Sequence, residues 1–190
     1  MPSSSRELRQ RARRIKLLLM DVDGVMTDGR IYYMPQFQRG SSEVLFETKT
    51  FHSRDGLGIR LAHEAGLKTG IISGRGSPAT AYRARELGVH YIEQSMLDKL
   101  PPYQKILSEA QLDDADVCYI GDDIVDLPIL KRAGLAVGVR DGHEFLRRHV
   151  HYWTRKPGGA GAVRETIELI LAAQGKLRPV LRYYLTGDRA

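Results

Sequence analysis

The apolar run Leu17-Leu18-Leu19-Met20 stops at two carboxylates spaced by one residue, Asp21 and Asp23, with Gly24 directly behind them. A continuous apolar stretch of strand length is what a parallel sheet asks of a strand covered on both faces. In such sheets ligands bind beyond the carboxyl ends of the strands. The chain is therefore expected to fold as an α/β sheet that delivers two acids to its ligand-binding edge. Carboxylates this close repel each other and are stable together when a cation neutralises them or when one holds a proton. Both conditions suit phosphoryl transfer, in which a hard Mg2+ takes one or two carboxylates plus phosphate oxygens, one Asp attacks phosphorus and the other protonates the leaving group. Taken alone, Asp-x-Asp-Gly is equally compatible with a solvated turn.

Three further segments weigh against the turn. Leu67 to Ile72 is a second β-prone run, and it ends in Ser73-Gly74-Arg75, which places a hydroxyl, a flexible backbone and a guanidinium at another strand tip. These are phosphate donors. Asp116 to Ile120 ends in Gly121-Asp122-Asp123-Ile124-Val125-Asp126, a supply of candidate metal ligands. Lys99 follows Tyr91-Ile92-Glu93-Gln94 and could balance charge between phosphate and aspartates, although a single lysine is ordinarily a surface residue.

Strand and helix alternate along the remaining chain. The pattern predicts short strands at Arg30 to Tyr33 and Glu43 to Thr48, joined by a loop containing Pro35 and Gly40, as a projecting hairpin. It predicts helices over Gly56 to Ala65, from Ser77-Pro78 to Leu87, and over Pro102 to Ala110, Asp126 to Ala133 and Val163 to Ala173. Strands are expected at Val89 to Ile92 and Leu135 to Val139. This alternation argues for a parallel sheet covered on both faces.

In order and approximate spacing, DVDGVMTDG, IISGR, Lys99 and GDDIVD resemble the four motifs of the haloacid dehalogenase superfamily, spanning Asp21 to Asp126. The segment Lys49 to Arg60 and the late Gly158 to Glu165 are similar to the small capless branch that contains the 3-deoxy-D-manno-octulosonate (KDO) 8-phosphate phosphatases, and the likeness covers about residues 15 to 177. The resemblance implies a Rossmann-like sheet with helices on both faces and no cap domain. It implies Asp21 as a nucleophile that forms an aspartyl-phosphate, and Asp23 as the general acid that later activates water. Asp122 would complete a Mg2+ site with Asp21 and the Asp23 backbone carbonyl, and Ser73 and Lys99 would hold the transferring group. Asp123 and Asp126 are expected to orient ligands. His52, Ser53, Arg54, Asp55, Gly56, Arg60, Gly74, Arg75 and Arg83 fall where relatives contact the sugar acid. The implied reaction hydrolyses an anionic phosphorylated sugar acid, KDO 8-phosphate, in lipopolysaccharide sugar synthesis.

Relatives usually carry Asn at the position of His52 and Arg or Lys at that of Ala160, so a nine-carbon sugar acid 9-phosphate stays open as the substrate. A non-catalytic assembly domain associated with a sugar-nucleotide synthetase is the alternative from another class, and it would have no need to keep Asp21, Asp23, Ser73, Lys99 and Asp122 together. A phosphomutase ranks lower, because no cap is present to keep water out. In the capless branch such hairpins pair into a homotetramer; here Tyr32, Tyr33, Leu45 and Phe46 would form the interface.

At 190 residues with 42% apolar content, one well-cored domain is the simplest reading, here set at 15–175 with a basic extension over 1–14 and a tail over 176–190. The tail is expected to lack fixed structure, as termini commonly do. Cys118 has no partner for an intramolecular disulfide, and no apolar stretch approaches the roughly 18 residues that span a bilayer. With no secretory h-region in view, a soluble cytoplasmic protein is expected. The net charge of +6 and the cluster Arg6, Arg9, Arg11, Arg13, Arg14 and Lys16 lack interleaved aromatics, so they read as a solvated or helical basic face and not as a nucleic-acid or membrane site.

Overall fold

The computed structural model describes residues 5–36 and 44–187. Among these residues the strands run in chain order as β1 (Leu17–Met20), β2 (Tyr32–Gln36), β3 (Val44–Thr48), β4 (Lys68–Ile72), β5 (Tyr91–Glu93), β6 (Val117–Gly121), β7 (Leu135–Gly138) and β8 (Tyr152–Trp153). Six of them form one parallel sheet in the order β5-β4-β1-β6-β7-β8, while β2 and β3 pair with each other alone. β1 lies in the middle, with Met20 level with Ile71 on one side and Ile120 on the other.

Successive residues of a strand face opposite sides, and β1 divides accordingly. Leu18 and Met20 enter a core with α1 (Ser5–Arg14), α2 (Ser53–Glu64), α3 (Pro78–Glu86) and α6 (Ala162–Ala173). Leu17 and Leu19 enter a second core with α4 (Leu100–Ala110) and α5 (Leu127–Leu130). Every residue of β1 is buried, which is why its sequence is apolar throughout instead of alternating. The chain order and two-sided packing agree with the parallel fold expected from the sequence.

The two edges of the sheet differ in charge. Asp21, Ser73 and Asp122 directly follow β1, β4 and β6 at the carboxyl edge. At the opposite edge Arg9, Arg13, Arg14, Lys16 and Lys176 line a cleft whose one acid is Asp116. Two of these cations serve helix ends: Arg13 Nε donates to the Ala173 carbonyl at 3.1 Å and Lys176 Nζ to that of Ala65 at 2.8 Å. Cations are favourable there, where unpaired carbonyls concentrate negative charge.

Several boundaries differ from expectation. α2 starts three residues early because the ring Nδ1 of His52 accepts the Arg54 N–H at 3.1 Å and caps it. Pro35 lies within β2 opposite Leu45 and not in the connecting loop; in a two-stranded ribbon every second N–H points away from the partner, so a proline is tolerated. Gly40 and Glu43 lie outside the described residues. The helix expected over Asp126 to Ala133 is a 3-10 turn, Ile124–Asp126, followed by the four-residue α5. The tail is helical over α7 (Leu177–Thr186), and Leu177, Val180 and Leu181 pack on the first core. The basic segment forms α1, which buries Ala12.

Candidate active site

Asp21 continues the β1 ladder by donating its N–H to the Ile120 carbonyl at 3.0 Å, so its side chain leaves the sheet where β1 separates from β6. The carboxylate is nearly buried. Its Oδ1 accepts the Val22 N–H at 2.6 Å, and its Oδ2 pairs with Lys99 Nζ at 2.9 Å. Gly24 follows with φ +85°, a conformation that suits glycine, and a Cβ there would strike the Asp122 carboxylate. The chain thus turns away from the site without filling it.

Lys99, at the start of α4, is buried between two acids. Its second partner is Asp126 Oδ1 at 2.7 Å, which also accepts the Tyr119 hydroxyl at 2.7 Å. Asp126 Oδ2 accepts the N–H groups of Asp122 at 3.0 Å and Asp123 at 3.3 Å. Burial works against the Lys99 charge, yet Asp126 and Asp21 more than offset it and raise its pKa. Lys99 therefore stays an ammonium.

Carboxylate oxygens of Asp21, Asp122 and Asp126 lie within 4.8 Å of one another. Asp126 has committed both oxygens to four donors, so Asp21 and Asp122 are the side chains left for a metal. Asp122 Oδ1 is buried without a hydrogen-bond partner. Burial, then the charges of Asp21 and Asp126, raise the Asp122 pKa to about 8. Burial and Asp126 raise that of Asp21 to about 6 against the pull of Lys99. Fully ionised, the three carboxylates and one ammonium carry a double negative charge, which a divalent cation matches. The residues present fit Mg2+, whose ligands are hard oxygens.

Asp21, Asp23, Ser73, Gly74, Arg75, Lys99, Asp122 and Asp123 line one cleft. Ser73 is buried, and its Oγ accepts the Arg75 N–H at 3.3 Å. Asp23 turns its Oδ1 onto Lys49, a residue that the motifs did not single out. Ser53 and Arg83 line an adjoining cleft that also includes Lys49 and Tyr82. Gly56 makes room for Arg83, because a Cβ there would meet its guanidinium. Arg54 and Arg60 are exposed on α2 and border neither cleft. Asp55 is buried away from the cleft, and its carboxylate accepts the Gly161 N–H at 3.1 Å and the Arg164 N–H at 2.7 Å. Asp123 Oδ1 accepts the Ile124 N–H and opens the following turn.

Residues 55–134 match the haloacid dehalogenase-like hydrolase family. The chain is 44% identical over 168 residues to the 3-deoxy-D-manno-octulosonate 8-phosphate phosphatase KdsC of Yersinia pestis, covering 88% of this chain and 86% of that protein. The solved structure of the Yersinia pestis phosphatase superposes with a TM-score of 0.82 at 43% identity, covering 90% of this chain and 89% of that one. The phosphatase of Moraxella catarrhalis, solved with magnesium, phosphate and KDO, superposes with a TM-score of 0.87 at 38% identity, covering 95% of this chain and 99% of that one.

Proposed function

The chain belongs to the 3-deoxy-D-manno-octulosonate 8-phosphate phosphatases of the haloacid dehalogenase-like hydrolases, and from that premise we propose how its own residues perform the reaction. It is a magnesium-dependent phosphoric monoester hydrolase that splits KDO 8-phosphate into KDO and phosphate. The observation that carries the residue assignment is the placing of the Asp21 carboxylate at the tip of the central strand, between Lys99 and the unpartnered oxygen of Asp122.

An Asp21 oxygen attacks phosphorus in line, and the bond from phosphorus to the sugar oxygen breaks. Asp23 gives its proton to that departing oxygen, which yields KDO and an aspartyl-phosphate. Lys99 and Ser73 hold the equatorial phosphate oxygens as charge redistributes over them. A water then attacks the acyl-phosphate, Asp23 takes its proton, and phosphate leaves with Asp21 restored. Mg2+, held by Asp21, Asp122 and the Asp23 backbone carbonyl, would supply neutralising charge to the phosphate oxygens.

In this reading Ser73, Gly74 and Arg75 form the phosphate side of the cleft, and Ser53 and Arg83 reach the sugar acid from the adjoining one. Gly56 supports that side by making room for Arg83, His52 and Asp55 fix the start of α2 and its packing, and Arg54 and Arg60 border neither cleft. The catalytic domain is 15–175, flanked by the extension 1–14 and the tail 176–190. Tyr32, Tyr33, Leu45 and Phe46 leave 41 to 61% of their surface exposed, which supports assembly of a cytoplasmic homotetramer through the hairpins. Light scattering is expected to return four times the chain mass.

Exchange of Asp21 for Asn keeps the side chain's shape and removes the nucleophile. Phosphate release from KDO 8-phosphate with Mg2+ should fall below detection in Asp21→Asn while the melting temperature is kept. Turnover retained in that variant, with contaminating phosphatase excluded, overturns the assignment.

A further inference from the structure

Lys49 follows the last residue of β3 and opens the segment that resembles the capless branch, with no role expected of it from the sequence. Its side chain is only 1% exposed, and its ammonium is ion-paired with Asp23 Oδ1 and, at 3.6 Å, with Glu47 Oε1. Glu47 Oε2 in turn accepts Arg75 Nη2 at 2.6 Å. Charges therefore alternate along Arg75, Glu47, Lys49 and Asp23, from the phosphate side of the cleft to the carboxyl that exchanges protons. Removing a lysine from water is costly unless it is paired, and the partner here is a side chain with its own work to do. The pair also fixes direction: the Asp23 carboxylate is drawn toward the end of the hairpin by Lys49, whereas that of Asp21 is held by Lys99 and the Val22 N–H.

We propose that Lys49 is a positioning residue for hydrolysis, holding the Asp23 carboxyl where it meets the departing sugar oxygen. The proposal rests on the reading of Asp23 as acid and base. It differs from a purely structural role, in which Lys49 would only pin the base of the hairpin to the domain. A misplaced general acid harms esters with poor leaving groups, which need a proton as they depart, and spares those that leave readily as anions.

The test compares KDO 8-phosphate with p-nitrophenyl phosphate, using kcat/KM, which reports the steps through aspartyl-phosphate formation and omits its later hydrolysis. Lys49→Met should lower kcat/KM for the sugar ester by about 100-fold and for the nitrophenyl ester by less than about 3-fold, with Mg2+ present throughout. Lys49→Gln, which keeps a hydrogen-bond donor and covers the case in which the Met variant fails to fold, should show the same selectivity at about 10-fold. Equal losses on both esters, or no loss on either, overturn the positioning role. If the unmodified protein releases phosphate from neither ester, the functional reading itself fails, and the proposal with it.

Discussion

Asp126 has no exposed surface and yet accepts four hydrogen bonds, one of them from Lys99. Lys99 is thus both a neighbour of the nucleophile and the cation that makes a buried Asp126 tolerable. Lys99→Met should destabilise the fold by about 3–5 kcal/mol, the usual result of stripping one partner from a buried ion pair, and should cut turnover in parallel. Urea unfolding followed by phosphate release checks both; unchanged stability would mean that Asp126 does not depend on this cation. Asp21, Ser73 and Asp122 were readable as candidates because they directly follow strands, and Lys99 because it stands in order with their motifs, at the start of α4. Lys49 opens the segment that resembles the capless branch, but its pairing with Asp23 was not readable: it lies 26 residues from Asp23, and their meeting depends on how the hairpin folds back.

Elements are joined by backbone contacts that sequence periodicity does not report. A Cβ at Gly158 would strike the Gly24 carbonyl oxygen, so the loop before α6 lies directly against the turn that follows the nucleophile. Asp55 anchors the same region by accepting two N–H groups at the start of α6, where orphan donors and the helix dipole favour an anion. Asp55→Ala should lose about 2–3 kcal/mol, because two charge-assisted bonds go and the N–H groups are left without acceptors; chemical denaturation measures this, and a neutral change would refute the anchoring. From the sequence Asp55 is expected among the sugar-acid contacts, just ahead of the helix expected from Gly56; its bonds to α6, more than 100 residues away, leave no local signal. β8 escaped for a similar reason: two residues carry no period, and Trp153 finds its place because Gly138 has no side chain to block the ring. Core strands such as β1 were readable because burial on both faces leaves a continuous apolar signature.

At the scale of the whole molecule, the acidic end couples stability to metal and pH. Without metal, the folded-state pKa of Asp122 stands at about 8 and that of Asp21 at about 6, each above the ordinary 3.8. A raised carboxyl contributes stability below its unfolded value and loses it as pH climbs through its folded value. The metal-free protein should therefore weaken between about pH 4 and pH 8 on account of these groups, and a cation that binds only the folded state should restore it. The rise in melting temperature on exchanging EDTA for Mg2+ should grow from pH 5 to pH 9; an increment that stays level or shrinks would contradict this account.

The cations at the opposite edge of the sheet, Arg9, Arg13, Arg14, Lys16 and Lys176, make the two ends of the protein electrically unlike. On a negatively charged bead the protein would attach by that end, leaving the mouth of the reaction cleft turned toward the flowing solution. A sulfonated support would thus act as an orienting tether, with no chemical crosslink near the cleft.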